Sequence, residues 1–212
     1  MIVLDTETTG LDPKKHAILQ LSIIDENRKV LFNSYFKPSI EHYSNLELYS
    51  DWIEASKIHG ITPKYVVNNN AFDDNQRNIV QKLIDSADYI VGFNPIFDVR
   101  FLRRYGIAFK PETKLIDPMK DFADFYKQKP LDPSNPNNPY KFKLKSLKFC
   151  CDFLSVKDSD FSKKSNTFSF HNSLDDVVAT YFLLQKLKHI QNNKLLFVYY
   201  KLKSYLYRIF KK

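Results

Sequence analysis

The sequence predicts an α/β fold in which a central mixed β-sheet is flanked by α-helices. Three observations predict it. Apolar, strand-like runs crowd the first 36 residues, helical periodicity dominates after residue 72, and another buried-strand run at 89–93 stands between the helices. Strands that come first and then alternate with helices form one sheet with helices laid across it.

Residues 2–4 (Ile-Val-Leu) are a strand that runs into the turn DTETTG at 5–10. Residues 18–24 and 29–36 are strands joined across Asp25-Glu26-Asn27-Arg28, an antiparallel hairpin or meander. Helices are expected at 46–59 and at 72–86, where Ile79, Val80, Leu83 and Ile84 recur at helical spacing. After the strand at 89–93, Asn94 is the expected cap and Pro95 the first turn of another helix. Residues 114–116 are a short strand. Pro130, Pro133, Pro136 and Pro139, set among Asn and Asp, make 129–140 a loop, an insertion within one domain. Helices follow at 144–154, 173–190 and 194–210, with a polar, mobile stretch expected at 155–170. The division is a domain at 1–190 and a basic amphipathic helix at 191–212 packed upon it. In that helix Leu195, Tyr199, Leu202, Leu206 and Ile209 form one apolar stripe, and residues 194–212 hold six Lys+Arg and no acid. Other roles for the helix are docking to a partner protein, to nucleic-acid backbone or to a membrane surface.

With 212 residues, 43% of them hydrophobic, the chain can build a core. Its net charge of +8 is uneven: residues 1–100 hold 10 Lys+Arg against 14 Asp+Glu, and residues 101–212 hold 22 against 10. A polyanionic partner accounts for this; so does a solvated, Lys-rich surface. Cys150 and Cys151 are adjacent and have no other cysteine to pair with, which points to a reducing compartment. No signal peptide is evident, and the apolar run at 195–200 is too short to span a bilayer. The expected location is the cytoplasm.

Asp5 and Glu7, two apart on a strand, point to the same face about 7 Å apart. Like charges so held repel unless a cation sits between them, and an oxygen-only site suits Mg²⁺ or Mn²⁺; a solvated strand edge would also carry such a pair. Gly10 can take positive φ and leave room for a ligand, or simply close a tight turn. Asp98 near a helix start is either a ligand or an acid that favours the helix dipole. Ser173 to Asp176 has the S-x-x-D form of a capping box, a structural reason for Asp176. His171 just before it projects into a cleft or packs at the surface. Each residue has a local explanation; their joint order and spacing do not.

The motifs LDTETTG at 4–10, NPIFDVRFL at 94–102 and HNSLDD at 171–176 resemble the three motifs of the DEDD exonuclease superfamily. The resemblance is to its histidine-bearing, DnaQ-like branch, and Ile58-His59-Gly60-Ile61-Thr62 is similar to a substrate-contacting loop of that branch. His171 stands five residues before Asp176, the spacing of the histidine branch, whereas the tyrosine branch would want Tyr where Asn172 stands. Ser173 departs from the family, which usually has Ala there. The resemblance implies a ribonuclease H-like fold and two Mg²⁺ or Mn²⁺ held by Asp5, Glu7, Asp98 and Asp176. It implies His171 as the general base. It places Thr8, Gly10, Leu11, His59, Asn94 and Phe97 around a terminal nucleotide. The implied activity is 3′–5′ exonucleolytic release of nucleoside 5′-monophosphates from single-stranded or frayed DNA ends, in replication or repair. The alternatives are an RNA-trimming enzyme of the same chemistry and a catalytically silent nucleic-acid-binding or polymerase-scaffold module. A polymerase or other protein partner would dock through the C-terminal helix.

Overall fold

The computed structural model describes residues 1–127, 142–156 and 171–210. The predicted loop at 129–140, residues 157–170 of the polar stretch, and Lys211 and Lys212 lie outside the described residues. The element order is β1 (Ile2–Thr8), β2 (Ile18–Asp25), β3 (Val30–Tyr35), α1 (Glu41–Ser44), α2 (Leu46–His59), α3 (Pro63–Val66) and α4 (Asp74–Asp85). Then come β4 (Tyr89–Val91), α5 (Pro95–Arg104), β5 (Lys114–Ile116), α6 (Pro118–Tyr126), α7 (Leu147–Leu154), α8 (Ser173–Asn192) and α9 (Lys194–Phe210).

The five strands form one mixed sheet in the order β3-β2-β1-β4-β5. β1 pairs antiparallel with β2 and parallel with β4, which explains an apolar entry run: the central strand is covered on both faces. On one face Leu4, Ile18, Leu21 and Ile23 pack against Val80 and Ile84 of α4 and Phe101 and Leu102 of α5. On the other, Val3, Ile24 and Val91 meet Val177 and Leu184 of α8. α8 in turn carries an outer cluster with α6, α7 and Tyr200 of α9. This is the ribonuclease H-like architecture expected.

α2 begins where Asn45 Oδ1 accepts from Leu48 N and ends at Gly60, whose φ of 74° favours glycine. Trp52, fully buried, donates from Nε1 to the Ile61 carbonyl at 2.9 Å and so ties α2 to the loop just after His59. Trp52→Ala is expected to destabilise the fold by about 3–5 kcal/mol, read from denaturant unfolding. A loss below about 1 kcal/mol would show that this cluster does not anchor the loop.

Four expectations need correction. α6 was not predicted, although Asp117 caps it through Met119 N and Pro118 occupies its first turn. Asn94 makes no side-chain cap; it is left-handed (φ 70°), and its N–H donates to Asp117 Oδ1 at 3.1 Å. Ser173 is not a cap: Asn172 caps α8, accepting from Leu174 N.

The fourth concerns α9, which packs on the domain by a face other than the expected stripe. Leu195 (84% exposed), Tyr199, Leu202, Leu206 and Ile209 point outward, while Tyr200 and Ser204 are buried. Tyr200 Oη donates to Leu154 O, Lys203 Nζ to Phe153 O, Lys201 Nζ to Phe125 O and Ser204 Oγ to Tyr126 O. These are last-turn carbonyls of α6 and α7, groups with no partner in their own helices. Among the described residues no helix is long and apolar enough to cross a membrane.

Candidate active site

Strand alternation puts Asp5 and Glu7 on the β1 face that α8 covers, and Asp176 in the first turn of α8 reaches the same place. One ligand oxygen from each of Asp5, Glu7 and Asp176 lies within 4.8 Å of the others. What seats α8 there was not legible in the sequence. Ser173, fully buried, lies 2.6 Å from Ser22 by its Oγ, and its N–H donates to Gln20 Oε1 at 3.3 Å. A serine where the family has alanine is thus matched by Ser22 on β2. The register of β1 against β2 shifts between Glu7 and Thr8, a bulge where the strand leaves the acidic pair for its turn.

Asp98 approaches from the first turn of α5 and is 2% exposed. Its Oδ1 accepts from Thr6 N at 2.9 Å and Thr6 Oγ1 at 2.6 Å, which fixes it beside the strand that carries the acidic pair. Burial raises all four carboxyl pKa values. For Asp5 the neighbouring Asp98, Asp176 and Glu7 charges raise it further. Glu7 is pushed up to about 8, by burial first and then by Asp176 and Asp98. Asp98 and Asp176 reach about 7, burial outweighing the bonds from Thr6 and from the His171 N–H. Asp175 lies outside the group of three ligand oxygens.

His171 is exposed and left-handed (φ 73°), an unusual conformation for a residue other than glycine. Its N–H donates to Asp176 Oδ2 at 3.3 Å, so the backbone that presents the imidazole also grips the carboxylate. His59 Nδ1 accepts from Ile61 N at 3.0 Å, which leaves Nε2 as the protonated nitrogen, 3.1 Å from the Thr8 carbonyl. Burial lowers the His59 pKa, and the nearby His171 lowers it further. The bonds at its two nitrogens hold the ring as a fixed neutral donor.

A cleft of about 830 Å³ opens beside these groups, within the range of small-ligand sites. Glu7, Thr8, Gly10, Leu11, His59 and Phe97 line it; Asn94 does not. Leu11 is 82% exposed there, an apolar surface with no protein neighbour covering it. At Gly10 a Cβ would fall 2.6 Å from the His16 ring, so glycine is needed there for close packing; its φ is not positive, so the turn itself does not require glycine as expected. Cys150 and Cys151 are free and buried among apolar side chains, which pushes the Cys151 thiol up to about 12 and raises Cys150 as well, far from the reactive range.

Acids from three separate segments of the chain thus meet at one end of β1, Asp5, Glu7 and Asp176 in one group and Asp98 beside it but outside that group, with two imidazoles and a cleft. Comparison with known proteins agrees. The chain is 34% identical over 124 residues to the DNA polymerase III subunit epsilon of Rickettsia prowazekii (strain Madrid E), covering 55% of this chain and 51% of that protein. It is 32% identical over 133 residues to the epsilon subunit of Buchnera aphidicola subsp. Schizaphis graminum (58% and 51%). It spans about half the length of these relatives. Its fold is similar to that of E. coli Exonuclease I solved in complex with a dA16 oligonucleotide, with a TM-score of 0.60 at 20% identity, over 93% of this chain and 42% of that one. A family model described as Exonuclease, RNase T, matches residues 2–184. The chain belongs to the RNase T exonuclease family and is DnaQ-like.

Proposed function

We propose that the protein is a divalent-metal-dependent 3′–5′ exonuclease that hydrolyses terminal phosphodiester bonds of DNA and releases nucleoside 5′-monophosphates. The observation that carries this reading is the half-buried group of Asp5, Glu7 and Asp176, with no cationic side chain in an ion pair with it among the described residues. The donor set fits a hard cation: it is all carboxylate, and Asp176 Oδ1 is buried without a hydrogen-bond partner. When bound, two Mg²⁺ or Mn²⁺ ions would stabilise the attacking and leaving oxygens of an in-line displacement.

Asp5, Glu7 and Asp176 would hold the ions, with Asp98, anchored by Thr6, beside them. His171, exposed at the edge of the group, takes the proton from the attacking water. His59, neutral and fixed, lines the wall against which the terminal nucleotide rests, with Thr8 and Gly10. Leu11 and Phe97 offer apolar surfaces to its base, a contact indifferent to sequence. Asn94 supports the start of α5 through Asp117. The substrate reading follows the relatives: the epsilon subunits belong to a DNA polymerase, and Exonuclease I was solved with DNA. A protein partner would dock on the outward face of α9, in the cytoplasm.

A 5′-labelled oligonucleotide with Mg²⁺ or Mn²⁺ tests this directly, with DNA and RNA run in parallel. A one-nucleotide ladder from the 3′ end of DNA, absent in EDTA, is expected. Cleavage of RNA alone would reassign the enzyme to RNA trimming, and no cleavage of either would leave a binding module.

The raised carboxyl pKa values also fix the sign of a stability effect. Between about pH 4 and 8 the folded chain binds more protons at these groups than the unfolded chain, so stability is greatest in acid and falls as pH rises. Without metal, Tm is expected to drop across that window by several degrees, at roughly 2–4 °C per kcal/mol for a chain of this size. Mn²⁺ at pH 8 should restore it. A metal-free Tm that rises across the same window would contradict the carboxylate cluster.

A further inference from the structure

A second cavity of about 560 Å³ lies on the other side of the turn that carries Gly10, sharing Lys15 and His16 with the active cleft. Four cationic side chains line it, Lys14, Lys15, Arg77 and Arg104, against the single acid Glu41, which is exposed and free to turn to solvent. Two of the cations are already matched, Lys15 by Glu47 and Arg77 by Asp74. Lys14 and Arg104 have no ion-pair partner among the described residues. His42 also lines the cavity and is 7% exposed. Its Nδ1 lies 3.0 Å from Ser39 Oγ, while its Nε2, buried near the Lys15 carbonyl, makes no hydrogen bond of normal geometry.

A polar cavity with unmatched cations, and a buried imidazole edge in its wall, is suited to an anion bearing several oxygen acceptors. Its place matters as much as its charge. A strand whose end lies in the cleft can pass over Lys15 and bring a phosphate of its own backbone to Lys14 and Arg104. We propose that this cavity is a phosphoryl subsite, which takes an internal phosphodiester of the strand being shortened. The strand as ligand rests on the exonuclease reading above; the affinity for a phosphoryl group does not.

The residues divide usefully for a test. Arg77 holds α4 to the Tyr105 carbonyl and is best left alone, whereas Lys14 and Arg104 carry no such bond and can be reversed without disturbing the fold. Binding of 5′-labelled single-stranded DNA of 4 and 12 nucleotides is measured by fluorescence anisotropy in EDTA, so that no hydrolysis is needed. In the double variant Lys14→Glu, Arg104→Glu the longer strand is expected to bind at least tenfold more weakly, and its salt slope should fall by about 0.7–1.4, the value for one or two lost phosphate contacts on a single strand. The 4-mer should bind as before, and hydrolysis of the p-nitrophenyl ester of thymidine 5′-monophosphate should be unchanged.

Equal binding of both lengths by wild type and variant would overturn the proposal, and so would equal weakening of both, which would place the effect in the cleft. Titration with thymidine 5′-monophosphate and inorganic phosphate, followed by the His42 ring signals, separates the two sources of the group. Saturation of His42 at lower concentration by the free nucleotide than by the 12-mer would overturn the strand as ligand. If the protein proves to hydrolyse nothing, the exonuclease reading fails, and the length-dependent binding in EDTA still decides the subsite.

Discussion

Asp5→Asn is expected to abolish nucleotide release while leaving the chain folded. Asp5 stands between Glu7, Asp98 and Asp176, and every one of those charges raises its pKa, so it is the carboxylate most exposed to the field of the others. In water alone that crowding is a liability, since burial and like charge both disfavour ionisation. Removing one charge should therefore raise the metal-free Tm at pH 8. The same substitution removes an oxygen that a cation needs. Wild type should gain about 2.7 kcal/mol at an ion concentration 100 times its Kd, and the variant should lose most of that gain. Higher metal-free stability, lost metal stabilisation and no turnover make a signature that a misfolded variant cannot imitate. An Asp5→Asn protein that still releases nucleotides would remove this carboxylate from the mechanism.

Replacing His171 should separate proton transfer from ion binding. The ring is exposed, and Asp176 is held by the His171 backbone N–H, so the carboxylates keep their places when the imidazole is lost. Asn is the suitable replacement because it tolerates left-handed backbone better than Ala does. The rate should fall by roughly 10²–10⁴, the usual loss for a general base, with Mn²⁺ stabilisation retained. A loss below tenfold would assign the proton to another acceptor. The expected split, full ion binding with slow turnover, distinguishes it from Asp5→Asn, in which ion binding and turnover are lost together.

The sequence by itself determined the strand that bears Asp5 and Glu7, because an alternating backbone leaves two such residues no choice but a common face. It determined the helix over 46–59 and the order of the three acidic motifs. These are local matters, decided within a few residues. It did not determine which face of α9 would be buried. Apolar residues stand on more than one side of that helix between its Lys and Arg, so a period of 3.6 residues offers more than one stripe, and the choice fell to Tyr200, Lys201, Lys203 and Ser204. They meet the unsatisfied carbonyls of α6 and α7, partners distant in the chain. Ser173 passed for a cap for the same reason: its real partner, Ser22, is 151 residues away. Local rules fix where a side chain points along its own element, and only the assembled sheet and helices decide what it meets there. The gathering of Asp98 and Asp176 beside Asp5 and Glu7 belongs to that second kind.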